Sequence, residues 1–428
     1  MYLTKLELTN LRNYSHLELE LRPGLTLLHG NNAQGKTNLL EAIFYLATAR
    51  SPHAGAEREL IRWGAATEPI PFARVAAEIA RTVQEPVKLE IVLVQTADEN
   101  QVPSSRVTKR IKVNGINRRA LDLTGQVNVV LFLPEDLDLV FGSPGDRRRY
   151  LDTTLSQIDP RYNRLLAQYG QVLEQRNALL RDFRERPFDA DELGTWDDKL
   201  VETGTYIVSR RAQAVADYNL LARDIHPRLT EKGEQLRIVY QPTVPLDGPL
   251  PDHQLALGLD PSVAPVDGVS HQFRRQLSLM RQRELGAAMT LVGPHRDDLR
   301  FFVDGVDMIT YASRGQGRTI ALSLKLVERE LMHAETGEEP ILLLDDVMSE
   351  LDKPRRRALS RLIQDASQAI VTCTDVEDFA EELLAQARIL EVIEGRLEES
   401  EEGRLNSIDS EADTTTHFEN EGHETGST

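Results

Sequence analysis

The chain has 428 residues, a net charge of −18, a single cysteine and only 5% aromatic residues. One cysteine excludes an internal disulfide and suits a reducing compartment, so we expect a cytoplasmic protein. Because there is no long apolar run and no signal peptide, we expect neither export nor a membrane partner. The charge argues against a uniformly nucleic-acid-binding surface.

The negative charge is concentrated at the C-terminus. Residues 398–428 hold ten carboxylates and one arginine, with almost no apolar side chains. Such a composition cannot bury a core, and we predict an acidic disordered tail over 396–428. The rest of the chain can therefore still carry local basic surfaces.

At the N-terminus, apolar and polar side chains alternate through residues 1–21, which predicts a β-hairpin. Between its strands lies the segment Asn10-Leu11-Arg12-Asn13-Tyr14. Two interpretations of this segment are open. It is a polar loop, or Arg12 contacts the base or ribose of a nucleotide.

A phosphate-binding loop follows the hairpin. The pattern G-x-x-x-x-G-K-[ST] is matched by Gly30-Asn31-Asn32-Ala33-Gln34-Gly35-Lys36-Thr37. A short buried strand (24–29) precedes it and a helix (36–48) with an apolar stripe follows. In this context backbone N–H groups cradle phosphate, Lys36 reaches the β- and γ-phosphates, and Thr37 ligates Mg²⁺. The alternative is a chance glycine turn.

The next segments predict more β-structure, with strands at 72–79, 87–94, 106–113 and 127–132. Asn114-Gly115 is a strong hairpin signal. The arms of this hairpin carry six basic residues: Arg106, Lys109, Arg110, Lys112, Arg118 and Arg119. They form either a solvated face or a surface for a phosphate backbone.

From residue 146 the pattern becomes helical. Apolar side chains recur every three to four residues over 146–235 and predict two long antiparallel helices. Arg147, Arg148 and Arg149 stand at the helix start, where they grip phosphate or remain exposed surface. A loop is predicted over 241–268 and a helix over 271–285. Residues 291–298 form a metal or phosphate site, or merely a polar hairpin.

The second half of a nucleotide site is predicted near residue 345. The apolar run 340–344 ends in Asp345 and Asp346, which has the form of a Walker B strand. Asp345 would hold Mg²⁺, and Asp346 stands where a carboxylate could polarise the attacking water. Before it, Ala312-Ser313-Arg314-Gly315-Gln316-Gly317-Arg318 opens another helix, and a glycine-bearing loop at a helix N-terminus binds anions.

These motifs together resemble ABC-type ATPases. The segment Ser313-Arg314-Gly315-Gln316 is similar to their signature motif and Ser349-Glu350-Leu351-Asp352 to their D-loop. More narrowly, the chain resembles the RecF family of bacterial DNA replication and repair proteins from about residue 1 to 395. The matching stretches are 11–14, 30–37, 132–137, 142–144, 147–149, 151–152, 175–177, 293–298, 313–319 and 344–352.

The resemblance implies an α/β fold, an ABC-type P-loop ATPase head. Lobe I (1–145) would carry mixed β-sheets with helices and the Walker A loop. A helical lobe II (146–290) would resemble a short antiparallel coiled coil. Residues 291–395, with the signature motif, Walker B and the D-loop, would complete the head. The tail lies outside the resemblance.

The resemblance also implies a mechanism. ATP and Mg²⁺ would be held by the phosphate loop and Asp345 of one subunit and by Ser313, Gly315, Gln316 and Asp352 of a second, giving an ATP-dependent homodimer. Slow, DNA-stimulated ATP hydrolysis would time a switch. The partners would be single- and double-stranded DNA, bound at gap junctions, with RecO and RecR in loading RecA and so inducing the SOS response.

Several residues depart from the expected family pattern. Gly317 replaces a glutamine in the signature, and Asp346 replaces the glutamate typical of ABC enzymes. A switch histidine is absent, with Thr372 or Thr374 in its place, and Glu135 stands where a Q-loop glutamine is expected. The alternative functions are a P-loop small-molecule kinase, another SMC-like ABC ATPase, or a DNA-binding protein with an inactive nucleotide site.

Overall fold

The computed structural model describes residues 1–67, 70–97, 103–230, 232–246 and 266–399. The disordered tail is predicted over 396–428, but residues Arg396–Glu399 form a strand that pairs with Arg388–Ile393, so the start of that prediction is wrong. The rest of the predicted tail, from residue 400, lies outside the described residues, as does most of the predicted loop 241–268. The remaining chain forms three sheets and the helices around them.

The first sheet is six-stranded and antiparallel. Its strands are β1 (Tyr2–Leu11), β2 (Tyr14–Glu20), β4 (Phe72–Ala80), β5 (Val87–Ala97), β6 (Pro103–Val113) and β7 (Ile116–Arg118), in the order β2-β1-β4-β5-β6-β7. Both predicted hairpins are confirmed. At the second, Asn114 and Gly115 have φ angles of 51° and 77°, the paired positive values of a type I′ turn. One face of this sheet is apolar and the other is charged.

The second sheet contains the strand that precedes the Walker A loop and the strand that ends at Asp345 of Walker B. The strands are β3 (Gly24–His29), β8 (Val129–Phe132), β12 (Ile341–Asp345), β13 (Gln368–Cys373), β14 (Arg388–Ile393) and β15 (Arg396–Glu399). Their order is β15-β14-β3-β13-β12-β8, and all neighbours are parallel except β14 and β15. The four strands β3, β8, β12 and β13 are buried on both faces and are accordingly mostly apolar in sequence. Helices α1 (Lys36–Thr48) and α10 (Lys353–Asp365) pack in the cores on opposite faces.

A second lobe is built on long helices. They are α4 (Pro144–Ile158), α5 (Pro160–Asp182), α6 (Ala190–Ile225) and α7 (Val266–Ala287). The two longest, of 23 and 36 residues, span roughly 34 and 54 Å and confirm the predicted helical pair. Four further helices, spread over the described chain, have a single turn each: α2 (Ala120–Leu123), α3 (Asp138–Phe141), α8 (Met308–Tyr311) and α11 (Glu381–Leu384).

The third sheet is not predicted from the sequence. It is antiparallel and consists of β9 (Leu236–Gln241), β10 (Asp298–Val303) and β11 (Val306–Asp307), in the order β11-β10-β9. Its two main strands are separated by nearly sixty residues of chain, so no local hairpin signal predicts their pairing. The second lobe is therefore not purely helical.

The helix of the predicted signature motif, α9 (Arg314–Thr336), joins two hydrophobic cores. Ile320 and Leu324 pack with the helices of the second lobe, whereas Leu322 and Met332 pack beneath the parallel sheet. The predicted boundary at 290/291 thus does not separate two cores. A movement at the start of α9 would therefore change the packing of both cores.

Among the described helices, none combines the length and the apolar character needed to cross a bilayer.

Candidate nucleotide-binding site

The glycine-rich loop lies between β3 and α1, as predicted. Gly30 and Gly35 have φ angles of 144° and 116°, a backbone region that favours glycine. Close packing adds a second requirement. A Cβ on Gly30 would lie 2.6 Å from the carbonyl oxygen of Val392, and one on Gly35 would lie 2.4 Å from the side-chain nitrogen Nδ2 of Asn13. The shape of the loop is therefore fixed from outside as well as by its own backbone.

The Lys36 ammonium folds back over this loop. Its Nζ donates to the carbonyl oxygens of Gly30, at 2.5 Å, and Asn31, at 3.0 Å. Burial lowers the pKa of Lys36, while the nearby carboxylates of Asp346 and Asp345 oppose that shift. Among the described residues the hydrogen-bond acceptors of the ammonium are these two neutral carbonyls, and a phosphate oxygen is a stronger acceptor for it.

The two predicted magnesium ligands are in direct contact. The Thr37 hydroxyl donates to the Asp345 carboxylate at 2.8 and 3.1 Å, although the residues are 308 positions apart. The buried Thr372 hydroxyl donates to the same carboxylate at 2.7 Å. No group of three or more His, Cys, Asp or Glu side chains in the described residues could hold a metal. A hydroxyl beside one carboxylate fits Mg²⁺, which takes few protein ligands and completes its shell with phosphate and water.

Asp346 follows in a left-handed conformation, with φ at 48°. Its N–H donates to the Thr372 hydroxyl at 3.0 Å, and its carbonyl accepts from the Ser349 hydroxyl at 2.9 Å. Aspartate tolerates this backbone region better than longer side chains do, which gives a physical reason for its presence in place of glutamate. Of the two threonines predicted for the switch position, Thr372 makes these contacts and Thr374 is exposed.

A clamp on the phosphate loop is not predicted from the sequence. The Gln34 carbonyl accepts from the Asn13 side chain at 2.7 Å and from the Gly395 N–H at 3.0 Å. The Gln34 side chain accepts from the Glu394 N–H at 2.6 Å. Glu394 and Gly395, with φ angles of 46° and 75°, form the turn between β14 and β15. Such a turn is visible in a sequence, but its contact with a loop 360 residues away is not.

Arg12 lies beside this loop. Its guanidinium makes two hydrogen bonds of 2.7 Å with the buried Glu41 carboxylate and donates to the Glu59 carbonyl at 2.9 Å. It also lines a groove of about 700 Å³ together with Asn38 and the highly exposed Trp63. Since Glu41 matches its charge, Arg12 suits a base or ribose better than a phosphate. The predicted nucleotide contact stays a prediction.

The signature motif forms the exposed start of α9. The Ser313 hydroxyl accepts from the Gln316 N–H at 3.2 Å, and the Gln316 side chain accepts from the Ser313 N–H at 3.0 Å, which is a capping box. Gly315 lies between them, half-buried. Among the described residues, no hydrogen bond or ion pair joins Ser313 or Gln316 to the phosphate loop. The two predicted halves of the site thus do not meet within one chain.

The D-loop is tied to the signature helix. Arg355 pairs with the Asp352 carboxylate and donates to the Thr319 hydroxyl at 2.8 Å. Gly317 packs against the ring of Phe141, from which a Cβ would lie only 2.4 Å away. A glutamine at this position would displace that ring, which accounts for the departure from the expected signature.

The arginine triplet and the segment 291–298 form one structural network. Arg147 is buried and makes hydrogen bonds of 2.7 and 3.0 Å with Asp298, and Arg148 donates to the Asp297 carbonyl at 2.7 Å. The Asp297 side chain is fully buried, and burial raises its pKa. The segment thus forms no open metal or phosphate site, and in the triplet only Arg149 is largely exposed.

Three of the six basic residues on the predicted arms are neutralised, whereas Arg110 and Arg118 are exposed and pair with no carboxylate among the described residues. Lys109 pairs with Glu57, Lys112 with Glu90 at 2.7 Å, and Arg119 with Asp122 at 3.5 Å. The Arg106 side chain lies outside the described residues. On the same outer face, carboxylates of Glu7 and Glu90 contact Arg74, so cations and anions alternate across the strands. The arrangement favours the interpretation of a solvated face.

Glu135 lies in the exposed turn Pro134–Leu137 that follows β8. Since β8 is the parallel neighbour of β12, this turn and Asp345 share the carboxyl edge of the sheet. A role for Glu135 at the Q-loop position stays a prediction.

Comparisons with known proteins agree on one family. The family model for the RecF/RecN/SMC N-terminal domain matches residues 2–395. The RecF of Roseiflexus castenholzii is 44% identical over 93% of this chain and 99% of its own, and that of Bacillus subtilis is 37% identical over 93% and 100%. Both are DNA replication and repair proteins by name.

Solved structures extend the comparison. The recombination mediator RecF, determined with ATP, superposes with a TM-score of 0.78 at 30% identity over 93% of this chain and 97% of that one. An SMC head bound to a domain of ScpA superposes at 0.50 with 17% identity, which supports the fold alone. The predicted ABC-type ATPase head is therefore confirmed.

Proposed function

This chain belongs to the RecF family of DNA replication and repair proteins, and from that premise we propose that it is an ATP-dependent DNA-binding recombination mediator acting at gaps. The observation that carries the proposal is the division of the nucleotide site into one preassembled half and one exposed half. Membership of the family also weighs against a small-molecule kinase, which would need neither a signature loop nor a D-loop.

The preassembled half would bind ATP and Mg²⁺. Backbone N–H groups of residues 30–37 would surround the phosphates, and the Lys36 ammonium would exchange its carbonyl partners for phosphate oxygens. Thr37 and Asp345 would hold Mg²⁺, which neutralises phosphate charge when bound. The groove at Arg12 would take the ribose and base, since it opens beside the start of α1.

The exposed half would contact the ATP that is bound to a second copy of the chain. The Ser313 hydroxyl, the backbone N–H groups near Gly315 and the positive end of α9 would face the triphosphate of the partner. Gln316 would keep this turn in shape through its capping box, and Asp352 would place the D-loop beside it. Two such contacts, related by a two-fold axis, give an isologous homodimer that depends on ATP.

Hydrolysis would then loosen the pair. Asp346, beside Asp345 at the carboxyl edge of the sheet, would orient or deprotonate the attacking water, and Lys36 would stabilise charge on the transferred phosphoryl group. A short acid held on a strained backbone suits slow turnover, which we propose is weak and stimulated by DNA. Loss of the phosphate grasped by the signature loop would release the partner.

The role in repair rests on the family. The solved relative is named a recombination mediator of the RecFOR pathway. By that relation we propose that the ATP-bound pair holds single- and double-stranded DNA at gap junctions in the cytoplasm. There it would cooperate with RecR and RecO to load RecA and so promote the SOS response. In this proposal lobe I (1–145) and residues 291–395 together form the ATPase head, and residues 146–290 form lobe II.

Retention on DNA tests this function. The protein would be loaded on an immobilised gapped duplex with ATP and Mg²⁺, and its dissociation followed after a salt wash. We expect slow release with ATP, fast release with ADP, and fast release of Lys36→Met with either nucleotide. Equal release rates for the wild type with ATP and with ADP would contradict an ATP-dependent hold on DNA.

A further inference from the structure

The outward face of α7 carries an unusual row of side chains. Arg275, Leu279 and Arg283 are spaced by four residues, so they lie on one side of the helix. All three are exposed, Leu279 to 64%. The row runs about 12 Å along the helix between its two arginines.

This row lacks compensating negative charge. Apart from Asp267, whose side chain lies outside the described residues, the only carboxylate of α7 is that of Glu284, which is fully buried and accepts from Arg176 at 2.7 Å. Arg274 and Arg281, on the flank of the helix, pair instead with carboxylates of α6. In the part of the chain that the structure describes, no carboxylate pairs with the arginines of the exposed row.

Two further arginines adjoin the C-terminal end of the helix. Arg184 donates to the carbonyl of Gly286 at 3.4 Å, and Arg296 donates to the carbonyl of Thr290 at 3.1 Å. Both guanidiniums donate to neutral acceptors, and neither pairs with a carboxylate among the described residues. The exposed neighbours Ser278 and Gln282 are neutral hydrogen-bond donors.

The antiparallel sheet shows the opposite arrangement. Its outer face also carries many cations, but Arg74 contacts Glu7 and Glu90, and Lys112 contacts Glu90. In a chain with a net charge of −18, a polyanion approaches only where the local field is positive. The α7 row meets that condition, whereas on the sheet only Arg110 and Arg118 of the described strand cations lack a carboxylate partner.

We propose that the face formed by Arg275, Arg283, Arg184 and Arg296, the α7 arginine face, binds the phosphate backbone of DNA. The proposal rests on the proposed function and names the surface that performs it. Arginines and neutral donors without a base-reading pattern suit contacts to phosphate, which position a protein independently of sequence. Leu279, between the two arginines of the row, is uncharged and therefore does not repel the phosphates of DNA.

The test counts phosphate contacts by salt dependence. The double variant R275Q/R283Q would be compared with the wild type by fluorescence anisotropy on a gapped duplex, with ATP and Mg²⁺, over a series of salt concentrations. Each phosphate contact contributes about 0.9 to the slope of log affinity against log salt, so we expect the slope to fall by nearly two. The matched control R110Q/R118Q removes the same charge from the antiparallel sheet and should keep the wild-type slope.

The possible outcomes separate the surface from the function. If R275Q/R283Q keeps the wild-type slope, or if R110Q/R118Q loses as much, the α7 arginine face is the wrong surface and the proposed function stands. If the wild type itself does not bind the duplex, the proposed function fails and this surface with it. ATP binding by each variant, measured separately, shows that a change in slope is not a folding defect.

Discussion

The phosphate loop and the signature loop are both glycine-bearing turns at helix N-termini, but their surroundings differ. The first is held from several sides, since Gln34 accepts from Asn13, Glu394 and Gly395. Next to it Thr37 and Asp345 are already in contact. The second is exposed, and in the described residues the hydrogen bonds of Ser313 go to Gln316 and Gly317, within its own turn.

This contrast shows how one chain can hold two unlike halves of a site. A half whose loop is already held in shape by hydrogen bonds can bind a nucleotide with little rearrangement. A half that is shaped by its own capping box and exposed is suited to a surface from outside the chain. Each of the following substitutions breaks one half and leaves the other intact.

Loss of the lysine should have the largest effect. In Lys36→Met, the charge-assisted hydrogen bonds to phosphate disappear, and each is worth about 1.5–3 kcal/mol. We expect ATP binding to weaken by about two orders of magnitude or more, with pairing lost as a consequence. Titration of a fluorescent ATP analogue measures the binding. Near-normal affinity would show that the loop does not hold the phosphates.

The acid after Walker B comes next. Asp346→Asn removes the carboxylate but keeps a side chain that tolerates the left-handed backbone at φ 48°. Because a positioned base contributes about 100-fold or more, we expect turnover to fall by that amount while ATP binding persists. Phosphate release under single-turnover conditions is the measurement. An unchanged rate would assign the water to another residue, and Glu135 is then the first to test.

The signature serine tests the other half. Aspartate caps a helix as well as serine does, so Ser313→Asp keeps the start of α9 but sets a negative charge against the triphosphate of the partner. We expect each chain to bind ATP normally and the dissociation constant of the pair to rise at least about tenfold. Ser313→Thr, which keeps the hydroxyl, is the control and should pair. If the aspartate variant pairs as tightly as the control, the signature loop does not face ATP.

The clamp on the phosphate loop should give the smallest effect. Gln34→Ala removes the acceptor for the Glu394 N–H and leaves the backbone contacts of residue 34 in place. One neutral hydrogen bond is worth about 1 kcal/mol, so ATP binding should weaken roughly fivefold. Hydrogen exchange at the Glu394 amide should rise in the same variant. Unchanged exchange there would mean that the turn is held by other contacts.

Much of the fold could be predicted because its signals are local. The strand, loop and helix around Gly30–Thr37 and the buried strand ending at Asp345 are each continuous in sequence, and the structure confirms them. The hairpin at Asn114-Gly115 is likewise marked by its turn residues. The resemblance to the RecF family, carried by short motifs, is confirmed by the comparisons.

The remainder depends on pairings distant in sequence. The strand Leu236–Gln241 finds its partner only after α7, and the clamp joins Gln34 to a turn near the end of the described chain. Charge runs are ambiguous for the same reason. From the sequence alone, Arg147 could be a phosphate contact. The structure shows that Asp298, 151 residues later, neutralises it.

The central claim is that ATP joins two chains through the signature loop. The most direct measurement is the mass in solution of the wild-type protein with ATP and Mg²⁺, together with the amount of ATP bound. The account predicts a particle of twice the 48.2 kDa of one chain, carrying one ATP per chain, and a single chain when ADP replaces ATP. A single chain that is saturated with ATP would contradict it.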